Sequence, residues 1–383
     1  MWTGFTDAAL AELAGSHHAV ARVDIWRAGR AVHTLDVVAG STTAEAGRAV
    51  YRNLSCTLVD PTGGLTGGDV DDLLNPYDCE LAPWRGVQYG PSARRVEEYA
   101  PLGVFALTGR EVAGDGSIVV TGQDRAMGYQ GPMVGSLAIG PGTPVETAIT
   151  RLLARRNPGV TFARSWRTGF TCGPLLFNPE IDVWREAQSL ARSVGGWLYH
   201  DRTGGLVFDS LLPSSSRPVA RYSDTRGGRL IQLDRSEDSD TIRNVVIVKS
   251  TKTATGGVIR AVAEDTDPTS PTYAGGRYGR RPVTLTNQHV GSLEQAQQMA
   301  ATELVRELGR SETVAMTVVP DPTRDPLDVV TVHRPRSGLV ERGMVVAALE
   351  TPVAATDPMP VRLQRSIIAQ DGRVFDVPLE LDA

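Results

Sequence analysis

The feature that most constrains this chain is one-for-one alternation of apolar and polar residues in short stretches, each cut off by turn chemistry. Ala19–Trp26 (AVARVDIW) and Ala31–Val38 (AVHTLDVV) flank Arg27-Ala28-Gly29-Arg30, which predicts a hairpin. Asn53–Val59 sets Leu54, Cys56 and Leu58 against Ser55 and Thr57, the pattern of a half-buried strand. Asp60-Pro61-Thr62-Gly63-Gly64 is a turn, and more strands are expected at Cys79–Ala82, Gly103–Thr108 and Ser117–Thr121. A period of two cannot bury one helix face, so roughly residues 18–125 read as a sandwich or barrel. The composition agrees: 40 Gly and 24 Pro supply turns, and 6% aromatics leave little to pack a helical bundle.

Helical spacing appears elsewhere. A short helix is expected at Thr6–Ala14, ending at Gly15. In the middle, Thr143-Pro144-Val145-Glu146 reads as a capping box with Pro at the first helical position. Val145, Ala148, Ile149, Leu152 and Leu153 follow on one face, and Asn157-Pro158 stops the helix. A second helix is expected from Asn178-Pro179, burying Ile181, Trp184, Ala187, Ala191 and Val194 and ending at Gly195-Gly196. Trp197–His200 and Leu206–Asp209 then form a hairpin around Thr203-Gly204-Gly205. Residues 126–222 therefore read as a small α+β domain, with Leu211–Arg217 as a linker.

The last third returns to strands. Asn244–Lys249 is a continuous apolar run, as a buried strand would be. A Pro/Gly/Thr-rich excursion covers 254–282, and Ser292-Leu293-Glu294-Gln295 is a capping box opening a helix to Gly309. Strands are expected at Thr313–Val319, Asp328–His333, Met344–Glu350 and Pro360–Ile368. The expected organisation is mainly β with α+β insertions: an N-terminal β domain at 1–125, the α+β domain at 126–222, and a second β domain at 223–383. A loop-plus-helix insertion interrupts the last around 254–310.

The chain offers no motif for chemistry. GxxxxGK[ST], HExxH, GxSxG and EF-hand patterns do not occur. The glycines of Asp60–Asp69 lack the strand-to-helix setting and the Lys of a phosphate cradle. The histidines, at 17, 18, 33, 200, 289 and 333, show no i, i+4 pair. Cys56, Cys79 and Cys172 form neither a disulfide framework nor a zinc spacing, and Cys56 reads as a buried strand residue. Carboxylates cluster at Asp69–Asp72, Glu237–Asp240 and Glu264–Asp267, as calcium loops or as solvated turns; at Asp69–Asp72 compensation of a helix N-terminus is the simpler account. No catalytic, cofactor-binding or metal residue is assigned, and no cofactor is expected.

A net charge of −5 does not wrap a phosphate backbone by bulk electrostatics. Arg94-Arg95, Arg155-Arg156 and Arg280-Arg281 lack interleaved aromatics. Tyr273–Arg281 (YAGGRYGRR) reads as an exposed loop contacting a protein neighbour through Arg. No apolar run is long enough to span a membrane, and the first residues carry no secretory signal.

The order of several stretches resembles a known family. YRNLSCTLVDPTGGL, DLLNPYDCELAPWRG, PLGVFALTGREV and IVVTGQDRA are similar to the N-terminal region of the tail hub (minor tail, baseplate hub) proteins of tailed phages of actinobacteria. RNVVIVKS, SPTYAGGRYGRR, SLEQAQQMAATEL, VAMTVVPDPTRDPLDVVTVHRP, GMVVAALETPV and MPVRLQRSII follow in the family's order, so the resemblance covers about 18–370. Many relatives have Gly where Leu327 precedes Asp328.

The resemblance implies two tail-tube-like β-barrel domains flanking the α+β domain. It implies a homotrimer whose two barrels per subunit form a pseudo-sixfold ring continuing a hexameric tail tube. The implied place is the tail tip of a siphophage virion. The implied partners are a distal tail protein or tube ring, the tape measure protein, and tail fibre or tip proteins, while genomic DNA passes through without specific binding. No fibre or needle domain follows residue 370, so a puncturing part is expected on another chain. A non-enzymatic role is expected. The rivals are a tail-associated cell-wall hydrolase and the hub of a bacterial contractile injection system.

Overall fold

The computed structural model describes residues 4–15, 17–59, 72–92, 94–213, 217–237, 239–251, 257–354 and 357–366. The expected turn at Asp60–Gly64 lies outside them, as do Asp69 and Asp71 of the first acidic cluster.

Helix α1 (Asp7–Leu13) is capped by the Thr6 hydroxyl, which accepts from the Ala9 amide at 3.2 Å. Strands β1 (His18–Arg27) and β2 (Arg30–Leu35) make the expected hairpin. Ala28 and Gly29 both take positive φ, 48° and 75°, as a two-residue turn between right-twisted strands requires. Then come β3 (Val37–Glu45), β4 (Arg52–Val59), β5 (Glu80–Tyr89), β6 (Val96–Pro101), β7 (Phe105–Val112) and β8 (Ser117–Asp124). The alternation in β4 is as expected, with Leu54, Cys56 and Leu58 buried.

The α+β portion holds β9 (Leu137–Ile139), α2 (Val145–Leu153), β10 (Phe162–Ser165), β11 (Leu175–Phe177), α3 (Val183–Arg192), β12 (Gly196–His200) and β13 (Leu206–Ser210). Both helices bury the expected faces in one core, from Ala126 to Phe208 in sequence. Two starts differ from expectation. Pro144 is the N-cap of α2 and offers no side-chain bond. Thr143 cannot serve, because its carbonyl accepts from Cys172 and its hydroxyl donates to Gly140 O at 2.8 Å. Helix α3 starts at Asp182, whose carboxylate accepts from the Arg185 amide at 2.8 Å, and not at Asn178-Pro179.

The remainder is β14 (Ala220–Ser223), β15 (Leu230–Glu237), β16 (Val245–Lys249), β17 (Arg260–Glu264), β18 (Pro282–Thr286), α4 (Leu293–Gly309), β19 (Glu312–Val318), β20 (Val329–Arg334), β21 (Leu339–Pro352) and β22 (Met359–Arg365). The apolar run at β16 is a buried strand, but in a satellite sheet, β17-β16-β18, that packs on α4 around its own core. The capping box of α4 is half formed. Ser292 Oγ accepts from the Gln295 amide, while Gln295 Oε1 accepts from Gly291 N and its Nε2 donates to Thr171 O at 2.9 Å.

The two β-rich blocks are not separate. One fourteen-stranded sheet runs β15-β19-β22-β21-β3-β4-β8-β7-β5-β1-β2, with β6, β14 and β20 beside that path. Its middle join is β21 against β3, antiparallel, with Glu350 opposite Thr43. Among the described residues the strands follow an open path and close no barrel. Each block gives the other an edge strand, so neither leaves that edge unpaired.

The sheet also contains a repeat. In chain order the first block gives β3, β4, β7 and β8, and they lie as β3-β4-β8-β7. The second gives β15, β19, β21 and β22, and they lie as β15-β19-β22-β21. Both have the spatial order first-second-fourth-third, and every neighbouring pair is antiparallel. Residues 238–311, with the satellite sheet and α4, separate the first two strands of the second repeat.

Candidate functional site

The eight repeat strands share a solvent face continuous across both halves. Following the register, a row runs from Asp234 through Ala315 and Arg362 to Ala348, and a neighbouring row from Glu350 through Thr43, Asn53 and Gln123 to Ala106. Ser41, Ser55 and Thr121 make a third. Alternation fixes this composition: along β4, Leu54, Cys56 and Leu58 point to the core, leaving Asn53, Ser55 and Thr57 outward. The face is hollowed where the repeats meet, with about 720 Å³ of space lined by Thr43, Asn53, Gln232, Thr317, Glu350 and Arg362 among others.

Charges on this face are partnered in place. Arg362 Nη2 donates to Glu45 Oε1 at 2.5 Å, Ser41 Oγ to Glu350 Oε1 at 2.6 Å, and Gln232 Nε2 to Asp234 Oδ2 at 3.2 Å. Such a surface is wetted by hydroxyls and amides, and with Arg362 and Glu45 cancelling, Glu350, Asp234 and the exposed Glu111 leave it mildly acidic.

The α+β portion braces the back of the face. Trp184 Nε1 and Gln188 Nε2, both on α3, donate to Ala49 O in the β3–β4 connection at 2.6 and 3.1 Å. Arg192 Nη2 donates to Gly47 O at 2.8 Å. At Gly40, where φ is +125°, β3 passes so close to β4 that an added Cβ would sit 2.3 Å from Ser55 O. Only glycine allows both that conformation and that approach.

Behind the face, three parts of the chain meet on one carboxylate. Asp325, in the β19–β20 connection, accepts from Arg52 of β4 on one oxygen. On the other it accepts from Nε of Arg202, from the β12–β13 turn, at 2.9 Å. Arg202 also donates to Pro322 O at 2.7 Å and Arg324 O at 2.8 Å. Burial alone would raise the Asp325 carboxyl, but Arg202 and Arg52 outweigh it and hold it at about 2. Nearby, the Asp124 carboxylate accepts from the amides of Tyr51, Arg52 and Ala126 at 3.0, 2.9 and 2.9 Å. Burial outweighs those bonds and pushes its pKa up to about 6. His200 Nδ1 lies 4.0 Å from Asp124, and the ring stacks against Tyr129 and Trp184 with centroids 5.9 and 5.6 Å away. Burial, with Arg125 adding to it, lowers His200 to about 3.

The residues weighed in the sequence for chemistry are scattered by the fold. His18 and His33 are exposed, His200 is buried in the junction, and Nε2 of His289 lies 2.9 Å from Glu186 Oε2. His333 lies 2.9 Å from Glu341. Among the described residues no three of His, Cys, Asp and Glu are grouped to hold a metal ion. Asp72 precedes turns and no helix; its carboxylate is paired with Arg110 and accepts from the Leu74 amide. Asp265 is buried and takes the hydroxyls of Ser270 and Thr272 at 2.6 and 2.7 Å, while Glu264 pairs with Arg280. The Tyr273–Arg281 loop is folded onto its own chain: Tyr278 donates to Ser239 O at 2.6 Å, and Arg281 lies over the Tyr278 ring. Cys56, Cys79 and Cys172 are all buried. The Arg52–Asp325–Arg202 junction was not anticipated, although Asp321–Asp328 (DPTRDPLD) stands out as a dense charge run between two apolar strands.

No protein-family model matches the chain, and no curated protein matches it. Solved structures do. A tail protein from Neisseria meningitidis MC58 superposes with a TM-score of 0.62 at 17% identity, over 90% of this chain and 96% of that one. The 43 kDa tail protein of prophage MuSo2 from Shewanella oneidensis gives 0.59 at 15%, over 90% and 98%. A chain of the Francisella PdpA–VgrG complex gives 0.52 at 8%, over 92% of this chain but 53% of that one. At these identities the likeness is one of fold: the chain has the fold of phage tail proteins.

Proposed function

We propose that this chain is a structural protein of a phage tail tip: the hub that continues the tail tube as a trimeric ring. The observation that carries this reading is the continuous eight-strand face of small hydroxyl and amide side chains, whose cation Arg362 is paired with Glu45 and whose remaining carboxylates leave it mildly acidic. In a ring of copies that face lines the passage, each four-strand repeat serving as one tube-like segment. DNA moves along such a wall because the wall offers it neither a cation array nor an aromatic platform. The fold shared with the Neisseria tail protein and the prophage MuSo2 tail protein supports the general role. The sequence resemblance supports the finer one: a minor tail protein of an actinobacterial siphophage, held in the virion between a distal tail protein or tube ring and the fibre or tip proteins, and meeting the tape measure protein.

The proposed work is shape-matching, without turnover. Light scattering on the purified protein, with cryo-EM of intact tails, tests it: three copies around the passage at the tip are expected. A stable monomer in solution together with its absence from the tail tip would overturn the reading. Zymography on cell-wall substrate tests the hydrolase rival, for which clearing by the isolated chain would speak. The likeness to a chain of the Francisella complex favours a second reading, the hub of a contractile injection machine; a sheath gene beside this one would support it.

A further inference from the structure

One apolar strip of the α+β portion stands exposed and is held rigid. Leu176 of β11 lies opposite Ala138 of β9, so both side chains leave the same side of this two-stranded ribbon. Leu176 is 70% exposed, while Phe177 and Ile139 turn inward to the core shared by α2 and α3. The chain before β9 continues the pattern, with Met133 buried and Val134 84% exposed. A lone exposed apolar residue means little. Here, however, the backbone beneath is fixed. Gly131 N donates to Asp182 Oδ2 at 2.7 Å, and Met133 N to Pro179 O at 3.0 Å. Arg155 Nη2 donates to Val134 O at 2.7 Å, and Arg156 Nη1 to Pro132 O at 3.0 Å. A segment pinned in this way presents its side chains with little ordering left to do on contact.

The cations beside the strip are uncompensated. Arg155 and Arg156 donate to main-chain carbonyls, and among the described residues neither meets a carboxylate. With Arg151, exposed in the last turn of α2, they outweigh Glu180, which is exposed beside Pro179. The strip is therefore locally basic on a chain whose total charge is −5.

We propose that this strip docks another protein that presents an apolar pocket edged by carboxylates, with Val134 and Leu176 filling the pocket and the arginines meeting its rim. Apolar anchors with arginine beside them are the composition of a protein interface. An anionic lipid surface shares the charge preference, but binding to one takes a broad apolar face, and this strip is narrow and pinned. The surface is a different one from the eight-strand face, and its docking role does not depend on the copies forming a ring.

Photo-crosslinking tests it. The photoreactive residue p-benzoylphenylalanine replaces Leu176 in protein made by virion-producing cells, and the cells and the tails purified from them are irradiated. The expected product is an adduct with a protein other than this chain, its linked peptide lying next to Asp or Glu. Arg155→Gln with Arg156→Gln should lower the adduct yield at least about fivefold, while Arg155→Lys with Arg156→Lys, which keeps the charge, should retain most of it. Equal loss in the two pairs would overturn the charge match. An adduct only with a second copy or with lipid, or no adduct at all, would overturn the docking surface. Hydrogen exchange needs no variant: amides of 133–138 and 175–177 should slow at least about tenfold in assembled tails relative to the isolated protein, and unchanged exchange there would also overturn it. An adduct formed in cells, with the protein missing from the tails, would overturn the tail-tip reading and leave this surface standing.

Discussion

Arg202 Nε lies 2.9 Å from Asp325 Oδ2, across 123 positions of sequence, and the second oxygen of that carboxylate is taken by Arg52. Both guanidinium groups are almost fully buried, with side chains 6% and 4% exposed, so their charge is compensated by a carboxylate and not by water. The geometry ties the first β block, the α+β portion and the second β block at one point. Breaking a buried pair from one side costs more than the pair itself contributes, because the surviving charge stays desolvated. Asp325→Asn keeps the shape and removes the charge, and is expected to destabilise the protein by about 3–5 kcal/mol. Denaturant unfolding followed by far-UV circular dichroism measures it; a loss below about 1 kcal/mol would mean that water reaches the two arginines.

Asp124 and His200 oppose each other in pH. His200 sits at about 3 when folded against an ordinary 6.5, so its contribution is present above pH 6.5 and is lost as pH falls toward 3. Asp124 is raised to about 6 from 3.8, so the folded state gains as pH falls through 6 toward 3.8. Between pH 6 and 4 one proton is favoured by the unfolded state and one by the folded state, and the two slopes offset. His200→Gln is therefore expected to gain about 1–3 kcal/mol relative to the unaltered protein on going from pH 6 to 4, and Asp124→Asn to lose a similar amount. Unfolding free energies of the three proteins at both pH values provide the check. Parallel pH profiles would show that neither group is buried as described.

The alternation in β4, the β1–β2 hairpin and the apolar faces of α2, α3 and α4 were legible because each depends on residues near in sequence, whereas burial in β1 and β2 does not alternate: Asp24 is buried between Val23 and Ile25, and Val32 is exposed. What joins distant residues was not legible. The repeat is hidden because 238–311 separates β15 from β19, where the first block joins β3 to β4 through 46–51. Nothing local tells β21 to pair with β3, since an edge strand reads the same whatever covers it. Strand β16 was legible as buried, but its sheet was not, because a buried apolar run carries no information about its neighbours. The face itself is written in the polar half of the alternation, Asn53, Ser55 and Thr57 among others, which without the register reads only as solvent-exposed positions.

Leu327 has a φ of +70°, a conformation that side chains resist, at the position where the resemblance offers Gly. Its amide donates to Val346 O at 2.8 Å, so the backbone is held there, and the side chain packs partly against the second block's core. Gly relieves the strain but surrenders the packing, so Leu327→Gly should lie within about 1 kcal/mol of the unaltered protein. A β-branched residue relieves nothing, and Leu327→Val should cost about 1–2 kcal/mol. Thermal melts of the two variants give the ordering; Val as stable as Gly would mean the turn has relaxed to negative φ.

The mildly acidic balance of the eight-strand face can be reversed without touching the core. Thr43, Asn53 and Thr121 are exposed on three successive parts of it, so lysines there replace short neutral side chains with solvated cations. Surface changes of this kind usually alter stability by no more than about 0.5 kcal/mol. Their electrostatic consequence is larger. Three cations engaging phosphates give a salt slope near −2.7, so affinity for duplex DNA should fall about 40-fold between 50 and 200 mM salt. The unaltered protein, with Arg362 and Glu350 already partnered on this face, should retain DNA at neither concentration. Fluorescence anisotropy with a labelled duplex reads both, and phage carrying the triple variant should eject DNA more slowly while assembling normally. Equal anisotropy titrations for the two proteins would place the face away from any path the DNA takes, and normal ejection kinetics in the variant phage would do so independently of the binding assay.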